Sequence, residues 1–271
     1  MSGPLEVLVD GAACSQGWPQ DRGLLYGDGL FETMLARAGR IRFESDHRAR
    51  LADGCRRLAF NADLARIWDQ AAVAAARHGN ATLRLQVTRG EATARGYAPS
   101  GGEQARAILS VFPAPAVEEL PTRVSVVTLR PCLGENPDLA GLKHCNRLEQ
   151  VLGRQALAGR GAFEGLMASS AGFLISGTMS NVFLELDGEL VTPSVERCGV
   201  AGVLRAVVLR EAAPLAIAIR IATLPLAMLV RCTALALSNA RIGLVAVHEL
   251  DGRTLGRSPA LEQLATRIAA L

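Results

Sequence analysis

The stretch GLKHCNRLEQ, residues Gly141–Gln150, is the most informative part of this sequence for its fold. Apolar residues with helical spacing follow its start: Leu148, Val151, Leu152 and Leu157. This spacing predicts a helix. Asn146 and Glu149 stand three residues apart, which is the spacing of a capping box, so Asn146 is the expected N-cap. Lys143 is therefore predicted to lie on the connection that leads into the helix.

Lys143 is the single lysine of the 271-residue chain, and the other 28 residues counted as Lys or Arg are arginines. Arginine keeps its charge in proteins and cannot become a neutral amine nucleophile. Any Schiff-base chemistry through a lysine must therefore use Lys143. A genome rich in Arg codons would explain why lysine is scarce, but it would not explain the residues around Lys143.

The motif Leu-Lys-His-x-Asn-Arg-Leu-Glu-Gln around Lys143 resembles the lysine motif of the aminodeoxychorismate lyases. These belong to the fold-type IV pyridoxal-phosphate (PLP) enzymes, together with the branched-chain and D-amino acid aminotransferases. The resemblance extends roughly from Leu5 to Ser258, with the motifs in family order. It implies an α+β fold of two domains with PLP between them, and a homodimer. The proline-rich stretch 113–121 is the best domain boundary, which gives domains of residues 1–116 and 121–271, the second carrying the PLP lysine.

Composition narrows the class of protein. A hydrophobic content of 49% with 20% charged residues is typical of a folded globular chain. The formal net charge is only +3 and the arginines form no run, which argues against a nucleic-acid partner. No apolar run is long enough for a membrane span, and the N-terminus lacks the pattern of a signal peptide. The six cysteines show no CxxC spacing, so we expect reduced thiols in the cytoplasm, with neither a disulfide framework nor a metal site.

The first half carries three further motifs that resemble the family. The stretch Asp21–Thr33, DRGLLYGDGLFET, reads as a glycine-bearing loop feeding a strand, and the resemblance places Tyr26 and Thr33 near cofactor and substrate. The His-x-x-Arg-Leu motif that begins at His47 implies that Arg50 binds the PLP phosphate, because an arginine fork matches phosphate oxygens. Spacing alone could not select Arg50 among the neighbouring arginines.

The residues 95–97, Arg-Gly-Tyr, resemble the family's substrate loop, which often reaches across the dimer. The resemblance therefore makes Arg95 the expected contact for a substrate carboxylate. On spacing alone, an exposed loop arginine is equally consistent with the sequence.

The segment Phe173–Leu184, FLISGTMSNVFL, resembles the family's second signature, which ends in Ser-Asn-Val/Leu-Phe. The resemblance places Asn181 among the substrate-binding residues. Where most of the family has a glutamate against the pyridine nitrogen of PLP, this chain has Ser176. Our hypothesis is that Ser176 faces that nitrogen; the alternative is that Ser176 is an ordinary strand residue and another acid makes the contact.

Two more segments resemble phosphate contacts. The glycines of residues 198–205 precede a helix predicted at Val203–Ala212, whose first N–H groups suit an anion. This pattern alone is also that of an ordinary helix start; the resemblance puts the backbone of Val203 and Leu204 at the phosphate. The tripeptide 238–240 resembles a third contact, with Asn239 the predicted ligand, although Ser238 or a backbone N–H would serve equally.

The activity implied by the resemblance is conversion of 4-amino-4-deoxychorismate to 4-aminobenzoate and pyruvate, in folate synthesis. Lys143 would hold PLP and then take a proton from the substrate, and Thr33 would be a proton relay. A rival interpretation is an aminotransferase of the same fold, acting on D-amino or branched-chain amino acids. The residues that surround Lys143 in the motif favour the lyase. Two further hypotheses are a non-catalytic PLP-binding protein and an unrelated α/β enzyme without PLP.

The sequence also predicts a strand at Ala81–Thr88, from its alternating pattern, and a last helix that starts at Ser258 and Pro259.

Overall fold

A computed structural model describes residues 5–13, 20–92 and 96–271. The chain divides into two compact units: Met1–Ala116 with Leu142–Asn146, and Val117–Gly141 with Arg147–Leu271. The sequence analysis assigned Lys143 to the second domain, whereas the structure groups it with the first unit. The physical reason is that the backbone of its segment pairs with a strand of that unit.

In the described residues, the first unit is built on a six-stranded sheet in the order β2-β1-β6-β5-β3-β4, in which every paired strand is antiparallel. Its strands are β1 Glu6–Val9, β2 Ala12–Ala13, β3 Gly29–Arg37, β4 Arg40–Ile41, β5 Ala81–Thr88 and β6 Arg106–Pro113. Its helices are α1 Arg22–Tyr26, α2 Glu44–Arg57 and α3 Leu64–His78. The longer helices, α2 and α3, pack on the sheet, α2 against β3 and α3 against β4 and β5.

The sequence patterns explain these elements. Buried residues of α3 recur at helical spacing: Ile67, Trp68, Ala71, Ala74 and Ala75. They form the apolar stripe that faces the sheet. The predicted loop before β3 contains α1, because Asp21 accepts a hydrogen bond from Gly23 N (2.7 Å) and Gly27 ends the helix at φ 66°, where glycine costs little.

The predicted capping box before the next helix is wrong. The helix α4, Leu148–Leu157, has Arg147 as its N-cap and no side-chain cap bond. Asn146 Nδ2 instead donates to Gly27 O (3.2 Å) within the first unit, and Glu149 accepts from Gly134 N (2.7 Å) within the second. The side chains of Asn146 and Glu149, which the local spacing assigned to the cap, therefore hydrogen-bond to residues outside the helix.

In the described residues, the second unit is built on a ten-stranded sheet in the order β12-β11-β10-β14-β15-β7-β8-β9-β13, with β16 paired to β15. Its strands are β7 Arg123–Thr128, β8 Glu164–Ala168, β9 Phe173–Gly177, β10 Asn181–Leu186, β11 Glu189–Pro193, β12 Ile219–Ala222, β13 Leu224–Pro225, β14 Cys232–Asn239, β15 Gly243–Leu250 and β16 Arg253–Thr254. The helix α5, Val203–Ala212, packs on β14, and α6, Pro259–Ala269, packs on β15.

The core of this unit lies on one face of β14 and its neighbours. Leu235 and Leu237 of β14 join Val182 and Leu184 of β10 in that apolar cluster. Because strand side chains alternate, Ala236 and Ser238 face the other way. Among the described residues, no helix is long and apolar enough to cross a bilayer.

Candidate active site

Lys143 is anchored on β3 by its own backbone. Phe31 N donates to Lys143 O (2.9 Å), and Cys145 N donates to Gly29 O (2.8 Å), so the segment forms an antiparallel β-bridge with β3. The Lys143 Nζ lies over the Phe31 ring, 4.3 Å from its centroid, within the range of a cation–π contact. The lysine is thus held at its backbone by the sheet and at its amine by an aromatic face.

Alternation along β3 assigns its side chains to two faces. Phe31 and Thr33 share the face that carries the Lys143 amine, and both are half-buried. Glu32, between them, points to the opposite face, which packs against α2 and is fully buried. Thr33 is therefore on the lysine side of the strand, as a proton relay would require.

Arg50 lies on α2 and pairs with Glu32. Its Nε donates to Glu32 Oε1 (2.8 Å) and its Nη2 donates to Glu32 Oε2. The Nδ1 of His47, which is wholly buried, contacts the same Oε2 at 2.6 Å. Burial would raise the pKa of Glu32, but the charge of Arg50 and the hydrogen bonds from His47 and Arg50 lower it to about 2. The sequence analysis missed Glu32, although a carboxylate inside the apolar strand GLFETMLA already required a buried partner.

The residues around Tyr26 form a second cluster of the first unit. The Tyr26 ring meets the Tyr97 ring edge-on, with centroids 5.4 Å apart. The buried Arg22 donates to Tyr97 O (2.6 Å) and to Asp28 Oδ2 (2.8 Å). This cluster holds the end of the predicted substrate loop, whereas Arg95 itself lies outside the described residues.

Ser176 is buried on β9. Its Oγ donates to Gly177 O (2.9 Å). The wholly buried acid of this region, Glu164, accepts hydrogen bonds from Thr178 N (3.1 Å), Met179 N (3.1 Å) and Ser180 Oγ (2.9 Å). Glu164 therefore braces the turn between β9 and β10, and its oxygens are committed to that turn.

Asn181, at the start of β10, fixes the loop that leads into α5. Its Nδ2 donates to Val200 O (2.9 Å). A Cβ on Gly202 would lie 2.0 Å from Asn181 Oδ1, so any larger residue there would displace the Asn181 side chain. These contacts give Asn181 a structural role; its predicted substrate contact stays a prediction.

The N-terminus of α5 is a suitable place for an anion. Gly202 is its N-cap and has no side chain with which to cap the first turn. The N–H groups and dipole at such a helix start attract a phosphate. The backbone of Val203 and Leu204 belongs to this turn, at the position given by the resemblance.

The predicted contact at Asn239 is taken up by its own turn. Asn239 Oδ1 accepts from Arg241 N and Ile242 N, both at 2.9 Å, and its Nδ2 donates to Met179 O (3.3 Å). Ser238, beside it, is 1% exposed, and its Oγ has no hydrogen-bond partner among the described residues. Of these two side chains, Ser238 is thus the one whose hydroxyl a ligand could still satisfy, and the phosphate contact itself stays a prediction.

These features fit a phosphorylated cofactor. The buried Ser238 hydroxyl, left without a partner in the described part of the chain, and the helix start at Val203 are groups that a phosphate would satisfy. In the first unit, the amine of Lys143, beside β3, is the kind of group to which PLP attaches covalently.

The comparisons define the class of protein. The chain belongs to the amino-transferase class IV family, whose model matches residues 29–250. The expected α+β fold of fold-type IV and the expected PLP cofactor are confirmed; a solved structure from Mycobacterium tuberculosis, "a hypothetical aminotransferase" in its PLP-bound form, is 27% identical with a TM-score of 0.82, covering 97% of each chain.

Two further relatives are similar to this chain in particular. The aminodeoxychorismate lyase of Vibrio harveyi is 30% identical over 236 residues, which cover 85% of this chain and 86% of the relative. The crystal structure of 4-amino-4-deoxychorismate lyase from Pseudomonas aeruginosa is 39% identical with a TM-score of 0.91, covering 97% of this chain and 98% of that one. The resemblance seen at Lys143 is thereby confirmed, and these relatives support a PLP-dependent lyase.

Proposed function

We propose that this chain converts 4-amino-4-deoxychorismate to 4-aminobenzoate and pyruvate in folate synthesis. The observation that carries the proposal is the Lys143 segment, whose motif resembles that of the lyases and whose backbone is hydrogen-bonded to β3. The similarity to two lyases over most of the chain supports it.

Each residue of the proposed site has a distinct task. Bound PLP supplies an electron sink for the carbon that carries the substrate amine. Lys143 would hold the cofactor through its amine, and the same amine, when neutral, would take the proton from that carbon. Thr33 passes a proton to the methylene carbon of the departing enolpyruvyl group. Loss of that group makes the product ring aromatic, which drives the reaction forward.

The direct experiment is incubation of the PLP-loaded protein with 4-amino-4-deoxychorismate. We expect 4-aminobenzoate and pyruvate in equal amounts. Absence of both products from a yellow, folded, PLP-loaded protein would refute the proposed reaction while leaving the family assignment intact.

Transamination is the rival reaction within the same family. Its support is the match to the class IV aminotransferase model and to the M. tuberculosis aminotransferase. Incubation with D-alanine or a branched-chain amino acid and a keto acid separates the two reactions, since only an aminotransferase forms the new amino acid. A non-catalytic PLP-binding protein would carry PLP and show neither activity.

Arg50 is the proposed ligand of the PLP phosphate in the first unit. Arg50→Ala should weaken PLP binding about tenfold or more, because a charge-assisted hydrogen bond contributes roughly 1.5–3 kcal/mol. Equilibrium dialysis against PLP measures the change. Arg48→Ala is the control, because Arg48 pairs with Glu44 on the exposed side of the same helix; equal affinities in both variants would return Arg50 to a structural role.

Arg95 is the proposed contact for a substrate carboxylate, of which 4-amino-4-deoxychorismate has two. Arg95→Ala should raise KM or lower kcat/KM while PLP stays bound, because the lost interaction is with the substrate. Steady-state kinetics with the absorbance of bound PLP recorded in parallel provides the test. Parent-like kinetics would remove Arg95 from the site.

We further propose that the protein is a cytoplasmic homodimer, as the resemblance implies. The five described cysteines form no disulfide, which supports a reducing compartment. The native mass in solution tests the dimer, and a mass of one chain at assay concentration would exclude it.

A further inference from the structure

A buried charge cluster lies behind Arg50. Glu32 is 1% exposed in the middle of β3, and its two oxygens accept from Arg50 Nε (2.8 Å), Arg50 Nη2 and His47 Nδ1 (2.6 Å). The His47 ring is wholly buried, and its Nε2 has no hydrogen-bond partner in the described residues. Because an ionised carboxylate only accepts hydrogen bonds, Nδ1 is the donor to Glu32.

Fold stability is a weak reason for such a cluster. Removing two charges from water is costly, and well-packed apolar residues often stabilise a core as well as a buried ion pair does. What a buried pair provides is a fixed geometry. Glu32 is ionised throughout the working pH range, because Arg50 and His47 overcome the effect of burial and hold its pKa at about 2.

The geometry that is fixed is that of the Arg50 fork. Two parallel hydrogen bonds, from Nε and from Nη2, define the plane of the guanidinium and the direction of its remaining edge. A long arginine side chain otherwise loses considerable rotamer freedom when it binds a ligand. Arg48, two residues earlier on α2, is different: it pairs with Glu44 one turn away, and its side chain is 43% exposed.

We propose that Glu32, supported by His47, is a positioning residue that orients Arg50 toward the phosphate of the cofactor. This inference rests on the proposed role of Arg50. Glu32 touches neither substrate nor cofactor in this proposal; it acts through the arginine, whose binding edge is set before the phosphate arrives.

The sign of the effect makes the proposal testable. A carboxylate close to a phosphate repels it, so removing the charge of Glu32 would by itself tighten phosphate binding. Removing the fork partner frees Arg50 to leave its orientation, which loosens phosphate binding. We expect the second effect to dominate, because Glu32 is already neutralised by the guanidinium that it holds.

The experiment measures the dissociation constants of PLP and of pyridoxal, which lacks the phosphate, for the parent protein, Glu32→Gln, Arg50→Ala and Glu44→Gln. Glu32→Gln should raise the ratio of the PLP constant to the pyridoxal constant about three- to tenfold, as expected when one long side chain is no longer immobilised. Glu44→Gln, the matched control on the exposed pair, should leave the ratio unchanged.

The outcomes separate this inference from the proposed function. If Arg50→Ala leaves the ratio unchanged, the assignment of Arg50 is refuted. If Arg50→Ala raises the ratio but Glu32→Gln leaves or lowers it, or weakens both ligands equally, the positioning role is overturned. Should Glu32→Gln fail to fold, the variants His47→Leu and His47→Asn provide the test. Asparagine keeps a donor near the Nδ1 position and leucine does not, so a ratio that rises in His47→Leu but not in His47→Asn supports the positioning role. Equal ratios in the two variants overturn it.

Discussion

Lys143→Arg will fold and will have no turnover of 4-amino-4-deoxychorismate. The chain contains no other lysine that could take over. A guanidinium stays charged, so it can neither attach PLP covalently nor accept the substrate proton. The change conserves charge and length, and the half-buried side chain lies over the Phe31 ring, a surface on which arginine also packs well. We therefore expect the loss to come from chemistry, with near-parental thermal stability.

Chemical labelling locates the same lysine directly. Borohydride reduction of the PLP-loaded parent protein, followed by peptide mapping, should place the pyridoxyl group on the peptide that contains Lys143. The Lys143→Arg protein treated in the same way is the control and should remain unlabelled. Labelling confined to the N-terminal amine, or measurable turnover by the arginine variant, would contradict the proposed mechanism.

Local sequence patterns were sufficient to predict several of the strands and helices. The alternating run Ala81–Thr88 and the helix Val203–Ala212 were predicted with the bounds that the structure shows. Ser258 caps the last helix, as predicted from the Ser-Pro pair, and accepts from Leu261 N (3.5 Å). In each case the signal lies within the element, so no distant partner is needed to read it.

Partners that are distant in sequence could not be predicted. The capping box failed because Gly27 and Gly134, which are remote from α4, compete for Asn146 and Glu149. In the predicted third phosphate contact, residues 238–240, the side chain available to a ligand depends on which one already hydrogen-bonds within the turn. Asn239 does so, through Arg241 N and Ile242 N.

The pairing of Glu32 shows the same limit in the first unit. The sequence shows that a carboxylate lies inside an apolar strand, but it does not show which arginine of α2 faces that strand. Only the packing of the helix on β3 selects Arg50, because the exposed Arg48 pairs within its own helix.

Ser176 stands where the resemblance leads us to expect a glutamate against the pyridine nitrogen of PLP. A glutamate beside the pyridine nitrogen favours the protonated ring, since a nearby anion stabilises the charged form. The Ser176 hydroxyl donates to Gly177 O (2.9 Å), and because a hydroxyl carries no charge it cannot hold a proton on the nitrogen as a carboxylate would. Glu164 is occupied by the turn that it braces. We propose that the ring nitrogen is consequently left unprotonated and the cofactor is a weaker electron sink.

A weaker sink affects the two reactions of this family unequally. Transamination depends on the ring to hold the electrons through a proton transfer, whereas elimination gains an independent driving force when the product becomes aromatic. Ser176→Glu should therefore raise half-transamination of D-alanine relative to pyruvate release from 4-amino-4-deoxychorismate, by about tenfold or more if the new carboxylate changes the ring protonation by the equivalent of 1.4 kcal/mol. Ser176→Ala should keep the parental ratio, and Ser170→Glu, on the exposed turn after β8, controls for an added charge. An unchanged ratio in a Ser176→Glu protein that folds and binds PLP normally would show that this residue does not set the protonation of the ring.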